Sequence, residues 1–135
     1  MRRLEDCGLL FLRIGIGCML LGVHGWARLV KAFSYLFLRQ PWTFIALVQR
    51  MGFPMPTVFA VASALAESLG AVLLIAGLGT RWAAAVVGFN LAIAVCLELS
   101  KHSAAIELPT VYLIAVVTLG IAGAGKYSLD ARRGR

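Results

Sequence analysis

Apolar residues dominate the chain in four long segments that are separated by short polar stretches. The segments cover residues 7–27, 57–78, 82–100 and 104–124. Each is close to the ~20 residues that an α-helix needs to cross the hydrocarbon core of a membrane. Short connections at residues 79–81 and 101–103 make consecutive helices antiparallel neighbours. The pattern therefore predicts one all-α domain over residues 1–135, a transmembrane four-helix bundle.

The connection between the first and second segments is long and apolar rather than polar. Residues 30–52 include Pro41, which suits the first turn of a helix, followed by WTFIALVQRM. This stretch is too short to span a bilayer. We expect short interfacial or partly re-entrant helices here. Their aromatic side chains are expected at head-group depth, and these are Phe33, Phe37, Trp42 and Phe44.

Composition supports a membrane protein and argues against other classes. The chain is 61% hydrophobic and 14% charged, with a mean hydropathy of +0.88. Soluble domains are about 45–50% apolar and about 25% charged. The net charge of +7 comes from basic residues that flank the apolar segments, so it indicates topology signals and lipid contacts rather than nucleic-acid binding. The three cysteines form no CxxC pair, no zinc spacing and no readable disulfide framework.

Lysine and arginine counts predict the orientation. The side that carries both termini and the 79–81 connection has seven basic residues, namely Arg2, Arg3, Arg81, Lys126, Arg132, Arg133 and Arg135. The opposite side has five, namely Arg28, Lys31, Arg39, Arg50 and Lys101. Because basic loops stay in the cytoplasm, this asymmetry predicts that both termini are cytoplasmic.

Three polar residues fall inside the apolar segments. Glu67 and Asn90 lie roughly 15 Å below the predicted outer ends of their helices, and Arg13 lies roughly 20 Å below. We predict that Glu67 is either ionised and paired with Arg13 or protonated and hydrogen-bonded to Asn90. An ionisable residue at this depth is a candidate functional residue, but a buried ion pair can equally serve only to fix helix packing. Arg13 has a further alternative, which is to extend to the cytoplasmic surface.

A second polar group lies near the predicted outer face. It contains two imidazoles and two carboxylates, those of His24, Glu98, His102 and Glu107. Together these groups could exchange protons with a lipophilic ligand, for example a quinone. No metal-ligand spacing is present. Glu67, His24 and Arg13 are thus the candidate catalytic residues, and the candidate ligand-binding residues are Asn90, Glu98, Glu107 and Trp26.

Four short motifs, in order along nearly the whole chain, resemble the DoxX family. VHGWARL at the end of the first segment is similar to that family's HGW-x-KL element, with Arg28 in place of the usual Lys. MGFPMP resembles its GFP-x-P element, and ALAESLGAVLLIAGLGTR resembles its E-x-x-G…G-x-x-TR helix and turn. GAGKYSLD resembles its closing GxGxYSLD. The stretch FSYLFLRQPW has the form of an insertion in the first loop.

The resemblance implies a small four-helix protein of a bacterial or archaeal inner membrane. Members of the family are associated with the membrane part of thiosulfate:quinone oxidoreductase or terminal quinol oxidase systems, and with thiol and oxidative-stress complexes. By motif position, the residues that it points to are Arg13, His24, Glu67, Arg81, Glu107 and Tyr127.

Three functions remain open from the sequence. The first is a redox subunit that binds a quinone-like ligand and works with a partner redox protein, since no flavin, haem or iron–sulfur signature is present. The second is a non-catalytic assembly or anchoring subunit. The third is a small transporter or lipid-binding protein with Glu67 in its site. The surface formed by Gly15, Cys18, Gly22 and Gly25 suits either an intrachain contact or a homo-oligomer.

Overall fold

The computed structural model describes residues 2–133, with side chains from Leu4 onward, and it is helical in every long element. Arg135, which enters the charge asymmetry, lies outside the described residues. The elements are α1 (Arg2–Met19), a π-helical segment (Leu20–Gly25), α2 (Trp26–Leu38), α3 (Thr43–Arg50), α4 (Pro56–Ala76), α5 (Thr80–Ser100), a 3₁₀ turn (Ala104–Ile106), α6 (Glu107–Ala122) and α7 (Leu129–Arg133).

The first helix is longer than the sequence predicted. It continues without a break through the π-helical segment into α2 and ends at Leu38, whereas we expected an end near Ala27. No Gly or Pro follows Gly25 until Pro41, so nothing in WARLVKAFSYLFL stops the helix. The stop comes at Arg39, whose φ of 54° is left-handed.

Four helices are long and apolar enough to cross a membrane, which confirms the predicted four-helix bundle. They are Leu4–Leu38, Pro56–Ala76, Thr80–Ser100 and Ala104–Ala122. Their lipid-facing sides carry large exposed apolar residues, while a core of aliphatic side chains fills the centre. The most buried members of that core are Leu20, Leu74, Val87, Val116 and Leu119. This distribution fits helices that face lipid on one side and each other on the other side.

The bundle has two ends that differ in construction. The terminal end consists of the start of α1, the α4–α5 turn and residues 123–133. The loop end consists of residues 39–55 and the α5–α6 connection. A hydrogen bond from the Lys126 backbone N–H to Asp6 Oδ1, 3.0 Å long, joins the two terminal regions of the chain. Consecutive helices are antiparallel, as the short connections predicted.

The long first connection folds back onto the bundle at the loop end. Its helix α3 packs against α4, which also contacts α2, and the three helices contribute to a second apolar cluster of Ala32, Trp42, Val48, Ala60 and Ala64. Trp42 is only 7% exposed, so it packs inside protein rather than against lipid. Phe33 and Phe37, in contrast, remain exposed on α2. The aromatic residues of this connection therefore divide between the protein interior and the lipid-facing surface.

Candidate functional site

An ion pair between the first helix and α4 occupies the interior of the bundle. Arg28 Nη1 lies 2.6 Å from Glu67 Oε2. Glu67 is 3% exposed, whereas 32% of the Arg28 side chain is exposed. Because a carboxylate buried in a membrane helix needs a cation or a proton, Arg28 explains why Glu67 is tolerated there. The carboxylate of the pair is thus buried, whereas the arginine side chain is partly exposed.

The predicted pairing of Glu67 with Arg13 is wrong. Arg13 lies at the terminal end, where its Nη1 donates to the Ala124 carbonyl at 2.5 Å and its Nη2 donates to the Tyr127 carbonyl at 2.7 Å. The predicted depth of Arg13 depends on a first helix that ends at Ala27. Since that helix continues to Leu38, Arg13 is much farther from the loop end than the assumed boundary implied.

Arg13 instead holds the segment that follows α6. Its side chain is 2% exposed and is largely enclosed by backbone carbonyls rather than by carboxylates. Gly77, with a φ of 66°, ends α4 beside it, and a side chain at this position would occupy the space of the guanidinium. Arg13 is therefore placed as an anchor for residues 124–127, away from the ion pair.

Asp130 completes the attachment of the same segment. Its carboxylate accepts from the backbone N–H groups of Gly79 at 2.7 Å and Thr80 at 3.0 Å, which are free donors at the start of α5. The Asp130 N–H donates to the Gly77 carbonyl. The backbone donor of Thr80 lowers the pKa of Asp130, with a further contribution from Gly79. The closing motif GAGKYSLD thus has a structural role at the terminal end.

The π-helical segment determines which side chains of the first helix reach α4. The Trp26 N–H donates to the Leu21 carbonyl, five residues earlier. Buried positions in an α-helix recur every three or four residues, but here Leu20 and Gly25, five apart, are both buried. Regular spacing from Arg13 would have directed His24 toward α4. The extra residue directs Gly25 there instead, and Arg28 follows one turn later.

Gly25 lets the first helix approach α4 closely beside the ion pair. The Ser68 hydroxyl donates to the Gly25 carbonyl at 2.9 Å and to the Ala64 carbonyl at 2.8 Å. A Cβ at Gly25 would lie 3.3 Å from the Ser68 Cα. Because Ser68 follows Glu67 in α4 and Gly25 precedes Arg28 by three residues, this contact sets the distance between the two charged side chains.

Phe44 contacts the ion pair, and His24 with its neighbour Tyr112 lies one helical turn before Arg28. His24 precedes Arg28 by four residues in the first helix, and its ring meets the Tyr112 ring of α6 edge-on, with centroids 6.2 Å apart. The Arg28 guanidinium carbon lies 4.9 Å from the centre of the Phe44 ring, a cation–π contact. We call Arg28, Glu67, His24, Phe44 and Tyr112 the central cluster.

Asn90 lies one helical turn from the central cluster rather than in contact with Glu67. Its Oδ1 accepts from the Ser63 hydroxyl at 2.7 Å, and Ser63 is one turn before Glu67 on the same face of α4. The predicted alternative, a hydrogen bond from a protonated Glu67 to Asn90, is therefore not formed. Asn90 joins α5 to α4 through Ser63.

The remaining predicted site residues are dispersed. Glu98 pairs with Lys101 at 3.2 Å at the end of α5. His102 is exposed in the following turn, and Glu107 is exposed at the start of α6. Trp26 is 62% exposed on the first helix, between His24 and Arg28. Of the predicted outer group, Glu98, His102 and Glu107 lie at the α5–α6 connection, whereas His24 contacts Tyr112.

Within residues 2–133, no group of three or more His, Cys, Asp or Glu side chains is arranged to hold a metal ion. Cys7, Cys18 and Cys96 are free and exposed. What the central cluster does offer is hydrogen-bond donors and flat aromatic surfaces. Arg28 uses one guanidinium nitrogen for Glu67, and its other nitrogens make no hydrogen bond to the described residues.

Arg28 is a functional candidate that the sequence alone does not indicate, because the predicted helix boundary places it in a loop. The available signal was its position four residues after His24 within VHGWARL, which places both on one helix face. That signal was insufficient by itself, because the first helix had been assigned an end at Ala27.

Four apolar spanning helices around an internal ion pair define a multi-pass α-helical membrane protein. The family model that matches the sequence is DoxX, over residues 8–102, well more than half of the chain. The chain belongs to the DoxX family. The matched region includes Arg28 and Glu67, and it ends before α6. Neither a curated protein sequence nor a solved structure gives a significant match.

Proposed function

We propose that this protein is a membrane-embedded redox subunit that binds the head group of a quinone-like lipophilic ligand at the central cluster. The observation that carries the proposal is the ion pair itself. Glu67 is fully enclosed while Arg28 is one-third exposed, so the pair presents a positively charged donor toward a ligand and keeps the negative charge behind it. An acceptor such as a quinone carbonyl is the complement of that arrangement.

The neighbours of Arg28 fit the same ligand. A quinone head group is flat and apolar between its two carbonyl oxygens, and Phe44 supplies an aromatic surface next to Arg28. His24 is half-buried and can donate to a carbonyl or exchange a proton. Reduction of a quinone to a quinol takes up two electrons and two protons. His24 provides a proton path, and a partner redox protein supplies the electrons.

Quinone binding is tested by titrating the purified protein in phosphatidylcholine nanodiscs with a short-chain ubiquinone while monitoring tryptophan fluorescence. Trp42, whose ring centroid lies 5.6 Å from that of Phe44 in the central cluster, reports on the site. Arg28→Gln is expected to weaken binding by roughly tenfold or more, since hydrogen bonds to charged groups are worth about 1.5–3 kcal/mol. His24→Gln leaves the ion pair intact and should also weaken binding.

Arg50→Gln is the matched control for that titration, because Arg50 is an exposed arginine at the end of α3. Equal quinone affinity in wild type, Arg28→Gln and His24→Gln would overturn the proposal. The central cluster would then serve assembly only, and the protein would be an anchoring subunit. Mass spectrometry of lipids extracted from the gently purified protein provides a second check. A bound lipophilic molecule other than a quinone would instead favour transport or lipid binding.

We further propose an inner-membrane location in a bacterium or archaeon, with both termini in the cytoplasm. The excess of basic residues on the side of the termini, seven against five, supports this orientation. Cysteine labelling should find Lys101 accessible from outside, and a periplasmic C-terminal fusion signal would reverse the assignment.

A further inference from the structure

The surface between α5 and α6 contains an apolar groove that lies apart from the central cluster. Its volume is about 500 Å³. Small residues form its floor, among them Ala84, Gly88 and Gly120, and larger apolar residues such as Phe89 and Ile121 form its walls. The one charged residue that lines it is Arg81, at the terminal end. The groove is therefore an apolar surface depression with a basic residue, Arg81, at one end.

The length of the groove matches one leaflet of a bilayer. Along α5 it runs from Arg81 to Ala92, a distance of eleven helical steps, or roughly 16 Å at ~1.5 Å per residue. Half of a hydrocarbon core of ~30 Å is about 15 Å. A spanning helix of a second protein would need a contact surface across both leaflets. The groove is thus the length of a lipid acyl chain and about half the length of a transmembrane helix.

The charge at the mouth of the groove selects among lipids. Arg81 is exposed and follows directly after the turn that Asp130 holds. Because Asp130 belongs to α7, the same contact keeps Arg132 and Arg133 at this end of the bundle. The carboxylate of Asp130 is itself engaged by backbone N–H groups. The local balance is therefore positive, which favours a negatively charged head group.

We propose that the α5–α6 groove binds one anionic phospholipid, with an acyl chain along Ala84, Ala85 and Gly88 and with the phosphate at Arg81. The site belongs to the leaflet on the terminal side. It shares no residue with the central cluster, so evidence against the proposed quinone site would not count against this lipid site, and the reverse also holds.

Native mass spectrometry of the detergent-solubilised protein tests this proposal directly. The probes are phosphatidylglycerol and phosphatidylcholine with identical acyl chains. The wild type should retain phosphatidylglycerol in preference to phosphatidylcholine. Arg81→Gln should reduce that preference about fivefold, the effect of removing one basic contact worth about 1 kcal/mol. Arg50→Gln, at the opposite end of the bundle, should leave the preference unchanged.

A bulky residue inside the groove tests the acyl-chain contact. Ala85 is exposed on the groove wall, so Ala85→Phe should fill the groove and abolish retention of both lipids. Ala62→Phe places the same bulk at an exposed position on α4 and should have no effect. Circular dichroism checks that each variant is helical. If Ala85→Phe does not fold, the lipid preference of Arg81→Gln decides whether the groove binds an anionic lipid.

Three results would overturn the proposal. The first is an unchanged lipid preference in Arg81→Gln, and the second is full lipid retention in folded Ala85→Phe. The third is a lipid-free dimer of the wild type that Ala85→Phe converts to a monomer, which would mean that a second copy of the chain occupies the groove.

Discussion

The ion pair between Arg28 and Glu67 makes a quantitative prediction about stability. Two unit charges about 4 Å apart interact by about 4 kcal/mol at an effective dielectric constant of 20. Removing one partner of a buried pair typically costs about 3–5 kcal/mol, because the other charge is left without compensation. Arg28 is one-third exposed, so the lower end of that range applies.

The two single substitutions should differ in cost. Arg28→Gln leaves the carboxylate of Glu67, 3% exposed, without its cation, and we expect a loss of about 3 kcal/mol. Glu67→Gln leaves an arginine that still stacks on Phe44 and is only partly buried, and we expect a loss of about 1–2 kcal/mol. The double variant should recover part of the combined loss, with a coupling of about 1–3 kcal/mol.

The assay is unfolding in detergent micelles, followed by circular dichroism, for the wild type, both single variants and the double variant. The matched control is the cycle between Glu67→Gln and Arg13→Gln, two sites with no shared partner, which should be additive within about 0.5 kcal/mol. Additivity in the Arg28 cycle would contradict direct pairing of Arg28 with Glu67. Coupling in the Arg13 cycle would indicate that Glu67 pairs with Arg13 instead.

Three further predictions concern the rest of the bundle. Arg13→Gln should lose about 3 kcal/mol and expose residues 123–131 to rapid amide exchange, because two hydrogen bonds from a charged donor are removed; unchanged protection there would contradict the anchoring role. The pKa of Asp130 is lowered in the folded protein, so its contribution to the free energy of unfolding is complete above the usual carboxyl pKa and is lost as the pH falls through the folded-state pKa. An acid unfolding curve of Asp130→Asn that is identical to that of the wild type would contradict this. Gly25→Ala should cost about 1–3 kcal/mol in thermal unfolding because a Cβ would press on the facing backbone, whereas Gly22→Ala, with open space around it, should be tolerated.

Several features of this protein follow from the sequence alone. The number of spanning helices, their antiparallel order and the family follow from segment length, short turns and motif order, all of which are local properties. The sequence also indicates that Glu67 has a polar partner, because a carboxylate in an apolar helix requires one, although the sequence does not identify it. The closing motif was recognised as well, although its attachment through Asp130 to the α4–α5 turn was not.

The identity of the partner of Glu67 was decided only by the tertiary structure. Periodicity assumes 3.6 residues per turn, and the π-helical segment between Leu20 and Gly25 adds one residue that rotates every later side chain. That rotation, together with the continuation of the helix to Leu38, brings Arg28 to Glu67 and leaves Arg13 at the terminal end. No local signal in the sequence specifies such a rotation, because it is stabilised by close packing of Gly25 against Ser68 on a helix more than forty residues away.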